Sequence, residues 1–262
     1  MKIKYLCIIF LCLLSFYYTE QIALYVKSKN PLVQTIESKK EELYVNSIDS
    51  TLIDELYIIP GMNGKEVNVN SSFNTMKELN VYNENKIIYN QIEPKISLKD
   101  NKERIIIRGN KQKRQVSLVF ENVSDLTKYL VQKNYKINLL ITEEKYYKEY
   151  EMINNSNNEE TYKRINAYLT NNKLNKNICY KSNKSLCKDN YIFQESLTIN
   201  HSNLSTNINK ITNGEIILIK DTLTLTELEL LTNKIKSQDL SIVPLSTLIS
   251  ETNWFDRTID LW

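Results

Sequence analysis

Two stretches decide the fold. The first is Gln115-Val116-Ser117-Leu118-Val119-Phe120-Glu121-Asn122, an apolar run that ends abruptly in a carboxylate and an amide. The second is Gly214-Glu215-Ile216-Ile217-Leu218-Ile219-Lys220, which holds the longest uninterrupted branched-aliphatic run in the chain. Continuous apolar runs of this length, bounded by turn residues, mark strands buried on both faces, as in parallel sheets. Between and beyond them the pattern alternates. Residues 124–133 predict a helix capped by Ser124 or Asn122, and residues 136–141 a second strand. Residues 143–170 predict a largely helical stretch interrupted by a polar loop at 154–158. Short strands are expected at 178–180 and 197–199, a helix at 226–237, a last strand at 240–245 and a final helix from Leu245. Strands alternating with helices imply parallel strands joined by crossovers. Residues 115–251 are too few for a full eightfold barrel, which takes about 250 residues. The expected fold class is therefore α/β, a distorted or incomplete (β/α) barrel.

Upstream, residues 43–109 predict a small α+β module. It has strands around Leu56-Tyr57-Ile58-Ile59, 87–89 and 104–108, and a short helix with Phe73, Met76 and Leu79 on one face. Residues 27–42 are polar and charged, and read as a spacer. At the start, Lys2 and Lys4 precede an apolar run that extends from 5 to 26 if Glu20 is tolerated. This predicts an uncleaved signal-anchor, with the bulk of the chain outside the cytoplasm. A cleaved signal and a buried core helix are the alternatives. The expected domains are thus 1–26, 27–42, 43–109 and 110–262.

Composition excludes several chemistries. The 34 Lys and Arg nearly cancel the 31 Asp and Glu, leaving +3 and no long basic run, so a nucleic-acid partner is not expected. His201 is the one histidine, which rules out a multi-histidine zinc site. With 4 Gly in 262 residues, no Gly-rich phosphate loop occurs. Cys179 and Cys187 could close a short disulfide loop in an oxidising compartment, or remain free thiols. Among other polar candidates, His201 could be a lone base, Lys220 and Asp221 could bond a glycan, and Tyr146, Tyr147 and Tyr150 could stack on sugar rings. Each has an ordinary structural alternative: a loop histidine, a helix start, helix packing. Glu143 and Glu144 fit the first turn of a helix.

The two deciding stretches also carry a resemblance. The strand ending in Phe120-Glu121-Asn122, followed by a helix and the strand at 135–141, resembles the opening of the polysaccharide deacetylases, carbohydrate esterase family 4, where the strand ends Thr-Phe-Asp-Asp. The segment 213–220, with the helix after it and Ser241-Ile242-Val243-Pro244-Leu245-Ser246-Thr247-Leu248-Ile249, is similar to that family's closing motifs. The stretch 58–89, with Pro60-Gly61-Met62-Asn63-Gly64-Lys65-Glu66-Val67, looks like the module that precedes the deacetylase domain in some membrane-anchored members from low-GC Gram-positive bacteria. The resemblance implies N-deacetylation of a sugar by zinc or another divalent metal, with a carboxylate base and a metal held by an Asp and two His. By position, Glu121 matches the base, Asn122 the metal-binding Asp, and Lys220 the late histidine. Glu121 is the catalytic candidate, Asn122 and Lys220 the substrate-contacting ones, and no metal ligand set is retained. The resemblance therefore implies a membrane-anchored, extracytoplasmic, deacetylase-like pseudoenzyme of the cell envelope. Its expected partner is a cell-wall glycan or an envelope protein. The alternative is an active metal-dependent deacetylase with a diverged site.

Overall fold

The computed structural model describes residues 2–145, 147–187 and 190–252. In chain order the elements begin with α1 (Lys2–Ser28), α2 (Pro31–Ser38), β1 (Thr51–Leu52), β2 (Tyr57–Ile59), β3 (Gly64–Val67), α3 (Val69–Met76), β4 (Tyr89–Ile92) and β5 (Ile105–Ile106). There follow β6 (Gln115–Phe120), α4 (Asp125–Gln132), β7 (Asn138–Ile141), β8 (Glu151–Asn154), α5 (Glu159–Asn171), β9 (Ile178–Tyr180), β10 (Tyr191–Phe193) and β11 (Leu197–Ile199). The last are α6 (Leu204–Asn207), β12 (Ile216–Ile219), α7 (Leu225–Ser237), β13 (Ser241–Ile242) and α8 (Leu245–Ile249).

These elements form two compact units. One comprises the described residues of Met1–Asn46 and Gly64–Ile92, the other those of Ser47–Asn63 and Glu93–Trp262. In the first, β3 and β4 pair antiparallel. Leu32 and Ile36 of α2 are buried with Val67, Met76 and Ile87, so residues 27–42 supply core rather than a spacer. Asn30 caps α2 by accepting from the Leu32 N–H, and Pro31 stands where a missing N–H costs nothing. The expected signal-anchor lies in α1, a 27-residue helix. Among the described residues, no helix is long and apolar enough to cross a membrane.

The second unit is built from two sheets. One has the order β1-β2-β5-β10-β9, parallel except for β1. The other has the order β11-β12-β6-β7-β8, all parallel, with β13 also on β6. Side chains alternate across each strand. In β6, Val116, Leu118 and Phe120 pack outward against Leu126 and Leu130 of α4, Ile165 and Leu169 of α5, and Leu228, Leu231 and Ile235 of α7. Val119 points the other way. It joins Leu140, Ile153, Ile216 and Leu218 in an interior core completed by Ile58, Ile106, Ile178 and Phe193 of the facing sheet. Helices outside and a packed core inside make a flattened (β/α) barrel, as the sequence leads one to expect.

One end of the barrel is plugged by α8, whose Leu245, Leu248 and Ile249 complete that interior core. Asn138, at the start of β7, accepts from the Leu245 N–H at 2.7 Å, and Glu151, at the start of β8, accepts from the Ser246 N–H at 2.7 Å. The plug therefore sits at the strands' N-terminal ends. Its close approach requires glycine at 109, since a Cβ there would lie 2.6 Å from Leu248 Cγ.

Three further expectations need correction. Residues 143–170 are not one interrupted helix. Met152 and Ile153 are buried in β8, which pairs parallel with β7, and only α5 is helical. Residues 43–109 are not one module. Residues 47–63 and 93–109 belong to the barrel unit, because β2 and β5 pair directly in its first sheet. Residues 191–193, not read as a strand, form β10 between β5 and β9.

Candidate functional site

Register places the first two site residues together. In the parallel pair β6 and β12, Phe120 lies opposite Ile219, so the next residues, Glu121 and Lys220, leave the sheet side by side at its C-terminal edge. Both continue the interior-facing alternation of Val119 and Leu218. The Lys220 ammonium donates to Glu121 Oε1 at 2.5 Å, with the two side chains 36% and 41% exposed. One residue further, Asn122 Nδ2 donates to Asp221 Oδ2 at 3.2 Å. The strand ends thus carry a cross-strand ion pair and, beside it, an amide–carboxylate bond.

The facing sheet adds a second wall that the sequence did not disclose. Tyr180 ends β9, and Glu195 follows β10 by two residues. The Tyr180 hydroxyl donates to Glu195 Oε2 at 2.7 Å, and its ring lies 5.2 Å from that of Phe193. Burial pushes the Tyr180 phenol up, helped by the bond to Glu195 and by the charges of Glu195 and Glu121. The phenol therefore stays a donor at any physiological pH. Lys181 donates to Gln194 Oε1 and stands over the Tyr57 ring at 5.6 Å. Tyr180, Lys181, Gln194 and Glu195 line an open pocket of about 400 Å³. The mouth therefore offers fixed hydrogen-bonding groups of both kinds and aromatic faces.

The remaining candidates lie elsewhere. His201 follows β11, is 68% exposed at its side chain, and bonds Glu227 Oε1 through Nδ1 at 2.7 Å. Glu227 belongs to the capping box of α7, where its other oxygen accepts from the Thr224 N–H. His201 thus decorates a helix start and shares no hydrogen bond with Glu121. Tyr147 and Tyr150 meet edge to face at 6.0 Å and pack against the outer core. Tyr146 lies outside the described residues. Glu143 and Glu144 do not open a helix; Glu144 pairs with Arg164 of α5 at 2.7 Å. Cys179 and Cys187 form a disulfide, with Cα atoms 5.8 Å apart. The signal that could have located the second wall was β10, whose Tyr191-Ile192-Phe193 is too short to show a period.

The mouth does not suit a zinc ion. Zinc takes imidazole, thiolate or carboxylate donors. Here Glu121 is paired to an ammonium, Glu195 accepts from the Tyr180 hydroxyl, Asn122 is a neutral amide, and Lys220 as a cation has no lone pair to give. Among the described residues, no three His, Cys, Asp or Glu side chains converge as a metal site.

No family model matches the chain. Over 103 residues it is 30% identical to the uncharacterized protein YlxY of Bacillus subtilis (strain 168), a match covering 39% of this chain and 32% of that protein. Solved structures align far more extensively. Wild-type BA3943 from Bacillus anthracis, a CE4 family pseudoenzyme, superposes with a TM-score of 0.56 at 17% identity, over 84% of this chain and 95% of that one. A BA3943 mutant with restored enzymatic activity superposes at 0.57, also at 17% identity, over 84% and 98%. The chain has the carbohydrate esterase family 4 fold. In that fold's terms, the C-terminal strand ends that carry Glu121 and Lys220 are the position from which barrel proteins work. The helices and the plug make up the scaffold.

Proposed function

We propose that the protein is a deacetylase-like pseudoenzyme of the cell envelope that binds glycan at the barrel mouth without hydrolysing it. The observation that carries this reading is the Lys220–Glu121 ion pair. Metal-assisted deacetylation needs a free carboxylate base beside a Lewis acid. Here the carboxylate is engaged by a fixed ammonium, which can donate hydrogen bonds but cannot activate water. What remains suits sugar hydroxyls: carboxylate and amide acceptors, ammonium and phenol donors, and the Tyr180 ring as an apolar face. The fold neighbour BA3943 is described as a pseudoenzyme, which supports a scaffold retained without its chemistry.

The same reading places the protein at the outer face of a membrane, held there by α1. Phe10, Leu13, Phe16 and Ile22 of that helix are exposed, and apolar side chains presented to solvent favour lipid. The Cys179–Cys187 disulfide fits an oxidising, extracytoplasmic setting.

The test is incubation of the purified full chain with N-acetylated chitooligosaccharide and with peptidoglycan, with and without added zinc or cobalt. We expect no acetate above blank, and retention on peptidoglycan that weakens in Lys220→Ala and Tyr180→Ala. Metal-dependent acetate that falls in Glu121→Gln would instead establish an active deacetylase with a diverged site. Absence of both acetate and retention would leave an envelope protein partner.

A further inference from the structure

The second wall of the mouth depends on a short strand. β9 has three residues, lies at the end of its sheet, and is bonded within it on one side only, to β10. Tyr180 is its last residue and pairs with Phe193. Beyond it the chain leaves the sheet in a 3₁₀ turn, Lys181–Leu186. Tyr180 and Lys181 line the mouth pocket, so part of that wall stands where the sheet gives out. The end of a short edge strand, with few main-chain bonds, opens at low free-energy cost unless something else ties it down.

The Cys179–Cys187 disulfide is that tie. Cys179 directly precedes Tyr180, and Cys187 directly follows the 3₁₀ turn, so the closed loop encloses both pocket residues. The two cysteines are buried in a small core with Ile105, Tyr162 and Ile192. A disulfide sulfur carries no proton, so the Tyr162 hydroxyl of α5 is the donor to Cys179 Sγ, at 3.0 Å. Both sulfurs lie 3.8 Å from the Tyr180 carbonyl oxygen. The bridge therefore packs against the main chain of the residue whose side chain lines the pocket. Phe193 and Glu195 hold the Tyr180 ring and hydroxyl, but they meet that side chain only while its main chain stays in place. Burial of both sulfurs slows attack by a thiolate, which makes the bridge a fixed brace and not a redox switch.

We infer that this disulfide positions the binding wall: it holds the Tyr180 main chain so that the ring and hydroxyl meet a glycan at the mouth. The ligand is taken from the reading above, and the inference rests on it to that extent. Cys179 and Cys187 are positioning residues, which act through Tyr180 and touch no ligand themselves.

The experiment reads position and binding separately. The full chain is labelled with 3-fluorotyrosine, and the Tyr180 fluorine resonance is assigned by its loss in Tyr180→Phe. In Cys179→Ala/Cys187→Ala we expect that resonance to move to the shift of an exposed tyrosine, while Tyr150 and Tyr168, packed on the outer core, keep theirs. Peptidoglycan retention should weaken about three- to tenfold. In a Tyr180→Ala background the same cysteine substitutions should still lower the melting temperature but leave retention unchanged, because the brace has nothing left to place. A bridge that served stability alone would not give that result. Cys187→Ala keeps the Cys179 thiol beside Tyr162, and repeats each measurement if the double variant does not fold. The inference is overturned if the Tyr180 resonance stays in place without the bridge, if retention survives its displacement, or if the cysteine substitutions weaken retention equally with and without Tyr180. A displaced Tyr180 resonance in a protein whose wild type is not retained would support the brace and overturn the glycan reading instead.

Discussion

The barrel's two ends each hold a carboxylate, and they answer its charge by opposite means. At the mouth, Glu121 is met by the side chain of Lys220, itself partly exposed. At the plugged end, Glu251 is met by two main-chain N–H groups and a serine hydroxyl. The first arrangement is screened by water and stabilises little, so the fold does not demand its residues. The second holds the Leu98 N–H and shares the Gly61 N–H with the Ser50 hydroxyl oxygen, so its residue serves the fold. Position alone would have suggested two equivalent polar ends. The partner atoms separate a solvated ion pair from a structural lock.

The comparison breaks first at Glu251. Glu251→Ala leaves the Leu98 N–H and the Ser50 hydroxyl without their acceptor, while the Gly61 N–H keeps the Ser50 oxygen at 2.9 Å, and the expected loss is about 2–3 kcal/mol in urea-induced unfolding. A change within experimental error would mean that the lock is not one. Next comes the disulfide, which joins Cys179 of β9 to Cys187 across a separation of eight. Its reduction, or the double Cys→Ala variant, should cost about 2–3 kcal/mol by loop-closure entropy, read from the same unfolding curves. Lys220→Ala is expected to cost less than about 1 kcal/mol while weakening peptidoglycan retention. If that variant unfolds the protein as Glu251→Ala does, the contrast between the ends collapses.

The smallest effect is expected at the start of α7. The bond from the Thr224 N–H, with the bonds to the Thr224 hydroxyl and His201, holds the Glu227 carboxyl below its ordinary value of 4.5. A lowered carboxyl stabilises the folded state fully above its unfolded value and stops doing so as pH falls through its folded one. Wild type should therefore lose slightly more stability than Glu227→Gln on acidification below about pH 4.5. Parallel pH–stability curves for the two proteins would remove Glu227 from the account.

Long buried runs were the most legible part of the sequence. β6 and β12 are buried at every position, and their apolar stretches are bounded by polar residues. Their register then follows from the fold, and with it the meeting of Glu121 and Lys220. β8 was concealed because only Met152 and Ile153 are apolar within a polar surround, and two such residues fit a helix turn as well as a strand. β10 and the second wall of the mouth were concealed because three residues carry no period. The division of residues 43–109 was hidden for another reason. β2 and β5 find each other across the stretch 64–92, and pairing partners distant in sequence leave no local trace. The disulfide was left open because spacing alone does not fix how near two cysteines lie.

The hydrogen bond from Ser50 to Glu251 spans 201 residues. At synthesis rates of roughly 5–20 residues per second, about 10–40 s separate the appearance of the donor from that of its acceptor. The α8 plug arrives only just before Glu251. The nascent barrel must therefore wait, with its first sheet unsealed, until residue 251 is made. Its folding is governed by contacts of high sequence separation, which form late and slowly. A chain halted a few residues short of Glu251 would have every strand and no closure, and would be a substrate for chaperones rather than a shorter version of the same protein.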